Sequence, residues 1–203
     1  MIARIARGVW CHDRDAGLQE ARDRLVGALR DLEGYRGLMV VEDSAAAAVI
    51  LTTYWATATE LSAAESTITG ICDPILREVS VDHQLVAVSV GAAAATEGSW
   101  VRVLETSVDA DKVSLAITHF RERVVPPLGQ TTGFLGAVLF VDPAGARSVV
   151  ATAWDTGEHM LLSATRLAAQ REEARVEFGL RIRRVWNARL LLADLPAGVP
   201  AAP

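Results

Sequence analysis

Apolar residues recur along this chain with two periods, and the changes of period mark out its elements. Residues 2–10 read as a strand. Leu18, Ala21, Leu25, Leu29 and Leu32 then fall three or four apart, which is one face of a helix. Asp13 or Asp15 can cap its start, and Gly34 can stop it by taking the left-handed conformation. Residues 38–42 and 47–55 are apolar and β-branched around Asp43-Ser44, the pattern of a hairpin. Thr57 and Glu60 have the spacing of a capping box, and Leu61, Ala64, Ile68 and Ile71 form the stripe of the helix it opens. Asp73-Pro74 interrupts that helix, and residues 78–90 read as strand.

The same order then returns. Residues 100–106 read as a strand, and Asp109 is expected to cap a helix carrying Val113, Ile117, Phe120 and Val124 on one face. Pro126-Pro127 is expected to end it, because proline has no N–H to donate and crowds the preceding turn. Residues 137–141 and 147–154 form a second hairpin around Pro143-Ala-Gly145. Thr156 caps a helix with Met160, Ala164 and Leu167, and residues 176–192 read as the final strand region. The segment from Gly34-Tyr35-Arg36-Gly37 to Trp55 and Thr57 aligns without a gap, at an offset of 99, with that from Gly133-Phe134-Leu135-Gly136 to Trp154 and Thr156. Two rare tryptophans held in register over such a length indicate internal duplication.

The expected fold class is therefore α+β: two tandem ferredoxin-like β-α-β-β-α-β units. A lone four-stranded sheet with helices on one face leaves its other face wet, so the two sheets should pack as an intramolecular dimeric α/β barrel. The expected units are 1–92 and 99–195, joined by a linker at 91–99 and followed by a loose tail at 196–203. A further homodimer remains open.

Composition narrows the partners. A net charge of −5 with a pI near 5.4 argues against general nucleic-acid binding, which needs a basic face. Arg181, Arg183 and Arg184 read as the wet side of a strand. No apolar run is long enough for a signal peptide or a membrane span, so no membrane partner and a cytoplasmic location are expected. Cys11 and Cys72 have no metal-ligand spacing and are expected to pack as small hydrophobes. His12, His83, His119 and His159 show no local ligand spacing, so no metal is expected. There is no nucleophile elbow, phosphate loop or dinucleotide fingerprint. Glu65 lies near the apolar stripe of its helix, where it could be a buried base, although exposure is the simpler reading.

A Gly-aromatic-x-Gly turn after the first helix, then a strand ending in Trp before a capped helix, resembles the antibiotic-biosynthesis-monooxygenase family of dimeric α/β barrels. The matching residues are Gly34, Tyr35, Gly37, Trp55 and Thr57, with Gly133, Phe134, Gly136, Trp154 and Thr156. The resemblance implies a dry pocket between sheet and helices, without flavin, metal or other cofactor. An electron-rich aromatic or quinol-like small molecule would be bound or oxygenated there. It singles out Trp55 and Trp154, whose indole N–H groups could donate to a developing enolate, although a Trp in this place is also a natural core anchor. Tyr35, Arg36 and Tyr54 supply polar groups around Trp55 that Phe134, Leu135 and Ala153 do not supply around Trp154. Any ligand site is therefore expected in the N-terminal half. The alternative is a non-catalytic ligand-binding or scaffold protein. Haem-degrading relatives carry a helical Trp and an axial His that would fall near Ala63 and Asp73, or near Leu162 and Glu172, and neither is present. The fused haem enzymes use a His from one unit, for which His119 and His159 are the candidates here; His119 lies opposite its helix's apolar stripe and is expected to be exposed, and His159 lies in the first turn of its helix.

Overall fold

The computed structural model describes residues 1–43, 45–91, 94–142, 144, 145 and 147–195. The tail at 196–203, Ser44 of the first expected turn and Pro143 of the second lie outside the described residues.

The first half runs β1 (Ile2–Trp10), α1 (Arg14–Glu20), a π-helical turn (Ala21–Leu25), α2 (Val26–Arg30), β2 (Tyr35–Asp43), β3 (Ala48–Trp55), α3 (Ala58–Cys72) and β4 (Leu76–Val90). The second runs β5 (Trp100–Ser107), α4 (Val113–His119), a π-helical turn (Phe120–Val124), α5 (Val125–Gly129), β6 (Phe134–Val141), β7 (Arg147–Trp154), α6 (Gly157–Arg166), α7 (Ala168–Phe178) and β8 (Arg181–Asp194). All eight strands pair antiparallel and close into a barrel in the order β1-β3-β2-β8-β5-β7-β6-β4. Closure depends on β2 pairing with β8 and β4 with β6, each joining a strand of one half to a strand of the other. Among the described residues, this closure leaves no sheet edge to recruit a foreign strand.

Alternation along the strands sorts the apolar side chains into three cores. Ala3, Ile5, Ile50 and Tyr54 meet Val101, Val103 and Phe140 inside the barrel. On the outer face Ile2, Ala6, Leu38 and Trp55 pack beneath α1–α3, and Leu139, Val141 and Trp154 beneath α4–α6. Each fully buried aliphatic or aromatic side chain contributes about 1.5–3 kcal/mol.

Local signals account for most helix ends. Asp13 accepts from the N–H groups of Asp15 and Ala16, Thr57 from that of Glu60, and Thr156 from that of His159. Gly34 and Gly133 occupy matched turns with φ of +81° and +79°, which other residues adopt only under strain.

Four expectations need correction. The Asp109 carboxylate caps no helix; it lies 3.4 Å from the Arg181 guanidinium. Pro126-Pro127 does not end its helix but sits in the first turn of α5, after the π-helical turn, where a missing N–H costs little. Residues 176–178 belong to α7 rather than to the last strand, because the run from Ala168 favours helix until Gly179 stops it in the left-handed conformation at φ +65°. Cys72 is buried as expected, but Cys11 is exposed just past the end of β1.

Candidate functional site

A cavity of about 130 Å³ lies between the outer face of β5–β7 and the helices α4–α7. Its body is apolar, with Leu104, Ile117, Phe120, Leu139 and Phe178 among its walls. The polar side chains in that lining include Arg102 from β5, His119 from α4, Arg147 from β7, and Gln170 and Arg171 from α7. Arg102 reaches the cavity because Leu104 and Thr106, at i+2 and i+4 on the same strand, face it too.

Two of these groups are buried without a partner: His119 Nε2 and Gln170 Oε1. An unmet buried polar atom costs about 1–3 kcal/mol, so its retention beside a cavity is informative. Arg147 lies 3.6 Å from the carboxylates of both Asp82 and Asp142, whereas Arg102 and Arg171 bond only to neutral groups. Arg102 Nε donates to Asn187 Oδ1 at 3.1 Å. Arg171 folds back onto its own helical connection, donating to the carbonyls of Leu167 and Ala164. Among the described residues neither guanidinium forms an ion pair with a carboxylate. Burial, and then the charge of Arg171, hold the Arg102 guanidinium below its usual pKa.

The five residues singled out from sequence lie elsewhere. Trp55 and Trp154 are fully buried, and each indole N–H is already taken, by Thr53 Oγ1 at 2.9 Å and Thr152 Oγ1 at 3.0 Å. Neither indole is free to donate to a ligand. Tyr35 and Phe134 lie edge-on to these tryptophans, with ring centroids 5.9 and 5.4 Å away. The Tyr35 hydroxyl donates to Asp194 Oδ2 at 3.1 Å, and burial followed by this carboxylate raises its pKa. Tyr54 points into the barrel, with its hydroxyl 3.5 Å from Met39 Sδ and its pKa raised by burial; it borders a void of only about 20 Å³. Arg36 is exposed. The site was expected in the N-terminal half; the large cavity lies in the C-terminal half, and none of the five lines it.

His119 also differs from expectation. It is 8% exposed, its ring edge-on to Phe178 at 5.1 Å, because α7 covers the face of α4 that the sequence left to solvent. His159 stays outside the cavity, its Nδ1 2.7 Å from Asp155 Oδ1; that hydrogen bond holds the Asp155 carboxyl below the usual range. His119, Glu173 and Glu177 bring potential metal-ligand atoms within 4.8 Å of one another, a grouping no local spacing could reveal. Both carboxylates are exposed, and Glu173 also lies 3.7 Å from the Arg123 guanidinium. Glu65 is neither free nor fully exposed: its carboxylate meets Arg4 at 2.8 Å and His83 at 3.1 Å.

Arg102, Gln170 and Arg171 were missed in the sequence. Arg102 had a readable signal, a charge set between valines on a strand whose neighbouring alternate positions are apolar. Gln170 and Arg171 did not, since their helix was not foreseen.

No protein-family model matches the chain. Two uncharacterized proteins of Mycobacterium tuberculosis are similar in sequence. Rv2557 is 27% identical over 150 residues, covering 72% of this chain and 67% of its own. Rv2558 is 26% identical over 186 residues, covering 89% and 79%. Among solved structures, a candidate monooxygenase from Fusobacterium nucleatum superposes with a TM-score of 0.74 at 10% identity, covering 98% of this chain and 95% of its own. An anthrone oxidase-like protein superposes with a TM-score of 0.67 at 10% identity, covering 100% and 96%. At such identities the likeness is one of fold: an α+β barrel of the kind seen in monooxygenase-like proteins. Among the described residues no helix is long and apolar enough to cross a membrane.

Proposed function

We propose that this protein is a cofactor-independent monooxygenase-like enzyme that binds a small aromatic or quinol-like molecule in the cavity of its C-terminal half. On this reading the chain is two ferredoxin-like units, 1–92 and 99–195, fused in tandem as a member of the antibiotic-biosynthesis-monooxygenase family. The observation that carries the proposal is an apolar cavity into whose lining come two buried polar atoms without partners, His119 Nε2 and Gln170 Oε1. Sites that orient small ligands combine apolar walls with a few such placed groups.

The chemistry needs little from the protein. An activated ring CH2 loses a proton to a base, and the resulting enolate passes an electron to O2. Recombination and loss of water convert CH2 and O2 into C=O and H2O, which balances without another reductant. On this reading His119 takes the proton and the guanidinium of Arg102 meets the negative charge that develops, while Gln170 Oε1 can accept from a hydroxyl of the ligand. The apolar walls exclude water that would otherwise compete for the enolate.

Oxygen uptake with anthrone, in buffer stripped of metals and flavin, tests this. The expected result is one O2 consumed per quinone formed, with loss of turnover in Ala116→Phe, which fills the cavity, and in His119→Gln. Turnover that survives Ala116→Phe would contradict the proposal. Binding without uptake would favour the non-catalytic reading.

A further inference from the structure

The two halves place an arginine at the same point of the fold but treat it differently. Arg4 on β1 pairs across the sheet with Thr53, and Arg102 on β5 with Thr152. Each of these threonines accepts the indole N–H of the tryptophan two residues on, so the frames match side chain by side chain. Arg4 is 1% exposed, and its Nε lies 2.8 Å from Oε1 of Glu65 on α3. His83, opposite Arg4 on β4, lies 3.1 Å from the same carboxylate.

In the second half the carboxylate is gone. The offset of 99 that relates the helix-capping residues Thr57 and Thr156 puts Ala164 where Glu65 stands. Asn187 lies opposite Arg102 on β8, as His83 lies opposite Arg4. Ala164 and Arg102 both line the cavity, and Arg171 adds there a second guanidinium that, among the described residues, pairs with no carboxylate, whereas Arg147 lies near Asp82 and Asp142. Truncating Glu to Ala removes both the volume and the charge that the first half uses to close this space. A guanidinium fork suits a carboxylate better than any neutral acceptor, and the pair strengthens away from water.

We infer that the cavity takes an aromatic carboxylic acid, whose carboxylate sits at Arg102 as that of Glu65 sits at Arg4, with Arg171 as the second cation. The inference rests on the reading of the cavity as a ligand site and adds the class of ligand. The apolar walls take the ring, and the acid group fixes its orientation.

Calorimetric titration with 1-naphthoate and with the neutral 1-naphthamide tests it. Naphthoate should bind at least about tenfold more tightly than the amide, the scale of one charge-assisted pair. Arg102→Gln should abolish that preference while both probes still bind weakly. Ala164→Glu, which restores the arrangement of the first half, should abolish naphthoate binding and raise the melting temperature. Equal binding of the two probes, unchanged in Arg102→Gln, would overturn the inference and leave the cavity as a ligand site. Binding of neither probe would remove the ligand site itself, and the inference with it.

Discussion

The N-terminal and C-terminal halves share a frame and differ in what lies between sheet and helices. In both, a strand-end tryptophan is locked by its own threonine and met edge-on by the first aromatic ring of the neighbouring strand, β2 or β6. The first half then closes: Arg4 pairs with Glu65, and Leu25, Leu29, Leu61 and Ile68 are buried in the core beneath α1–α3. The second half stays open: Arg102 keeps its charge, Ala164 replaces the carboxylate, and Val113, Ile117 and Val124 border a cavity instead of closing it. On the proposed reading the first half serves as structure and the second holds the ligand. The polar groups that distinguish the first half point away from such a role. Tyr35, whose counterpart is Phe134, ties β2 to β8 through Asp194, and Arg30 joins the same carboxylate.

The largest expected effect tests the shared part of the frame. Trp55→Ala and Trp154→Ala should each cost about 3–5 kcal/mol in denaturant unfolding, the range for emptying a large buried aromatic site. Similar losses in both halves would bear out a common structural role. A milder pair, Trp55→Phe and Trp154→Phe, should lower stability without weakening ligand affinity; a selective loss of affinity in Trp55→Phe would return the site to the first half.

A smaller effect, of opposite sign in the two halves, tests the difference. Glu65→Ala strips the buried Arg4 of a charged partner and should cost about 2–4 kcal/mol, because breaking a buried pair leaves the remaining charge poorly compensated. Chemical denaturation of Glu65→Ala beside Ala164→Glu would show one variant less stable and the other more stable than the parent. A loss of stability in both would mean that the two arginines do not occupy equivalent surroundings.

The smallest effect concerns the Asp194 latch. The hydrogen bond from Arg30, supported by that from Tyr35, holds the Asp194 carboxyl below the usual carboxylate range. A depressed folded-state pKa means that the unfolded chain takes up this proton first as pH falls. The stabilisation is therefore complete above the unfolded value, about 3.9, and is lost as pH drops through the folded one. Asp194→Asn should lower the melting temperature only slightly at pH 7, because its cationic partner is exposed, and the gap should close in acid. A gap that persists unchanged at low pH would assign the effect to packing alone.

Much of the fold was legible because periodicity, caps and turns agree along the chain. The apolar stripe of α3 and its Thr57 cap stand where the spacing put them, and the β2–β3 and β6–β7 hairpins follow the alternation. α7 was not legible: its buried Ala174 and Phe178 form too narrow a stripe to stand out against a strongly charged run. That miss carried the site with it. His119 is buried only because α7 covers it, and Gln170 and Arg171 are cavity residues only because α7 exists. The resemblance drew attention to Trp55 and Trp154, but spacing does not reveal that each indole spends its N–H on the threonine two residues before it. The informative residue is Ala164, and its meaning lies in the comparison with Glu65 in the other half.

The account turns on which half holds the ligand, and a crystal soaked in 4-iodobenzoate asks this directly, since the anomalous signal of iodine locates the molecule without bias. The account predicts one strong iodine site between β5–β7 and α4–α7, with the carboxylate within hydrogen-bond distance of the Arg102 guanidinium. Iodine beneath α1–α3 beside Trp55, or a C-terminal cavity that stays empty while the barrel interior near Tyr54 fills, would contradict it.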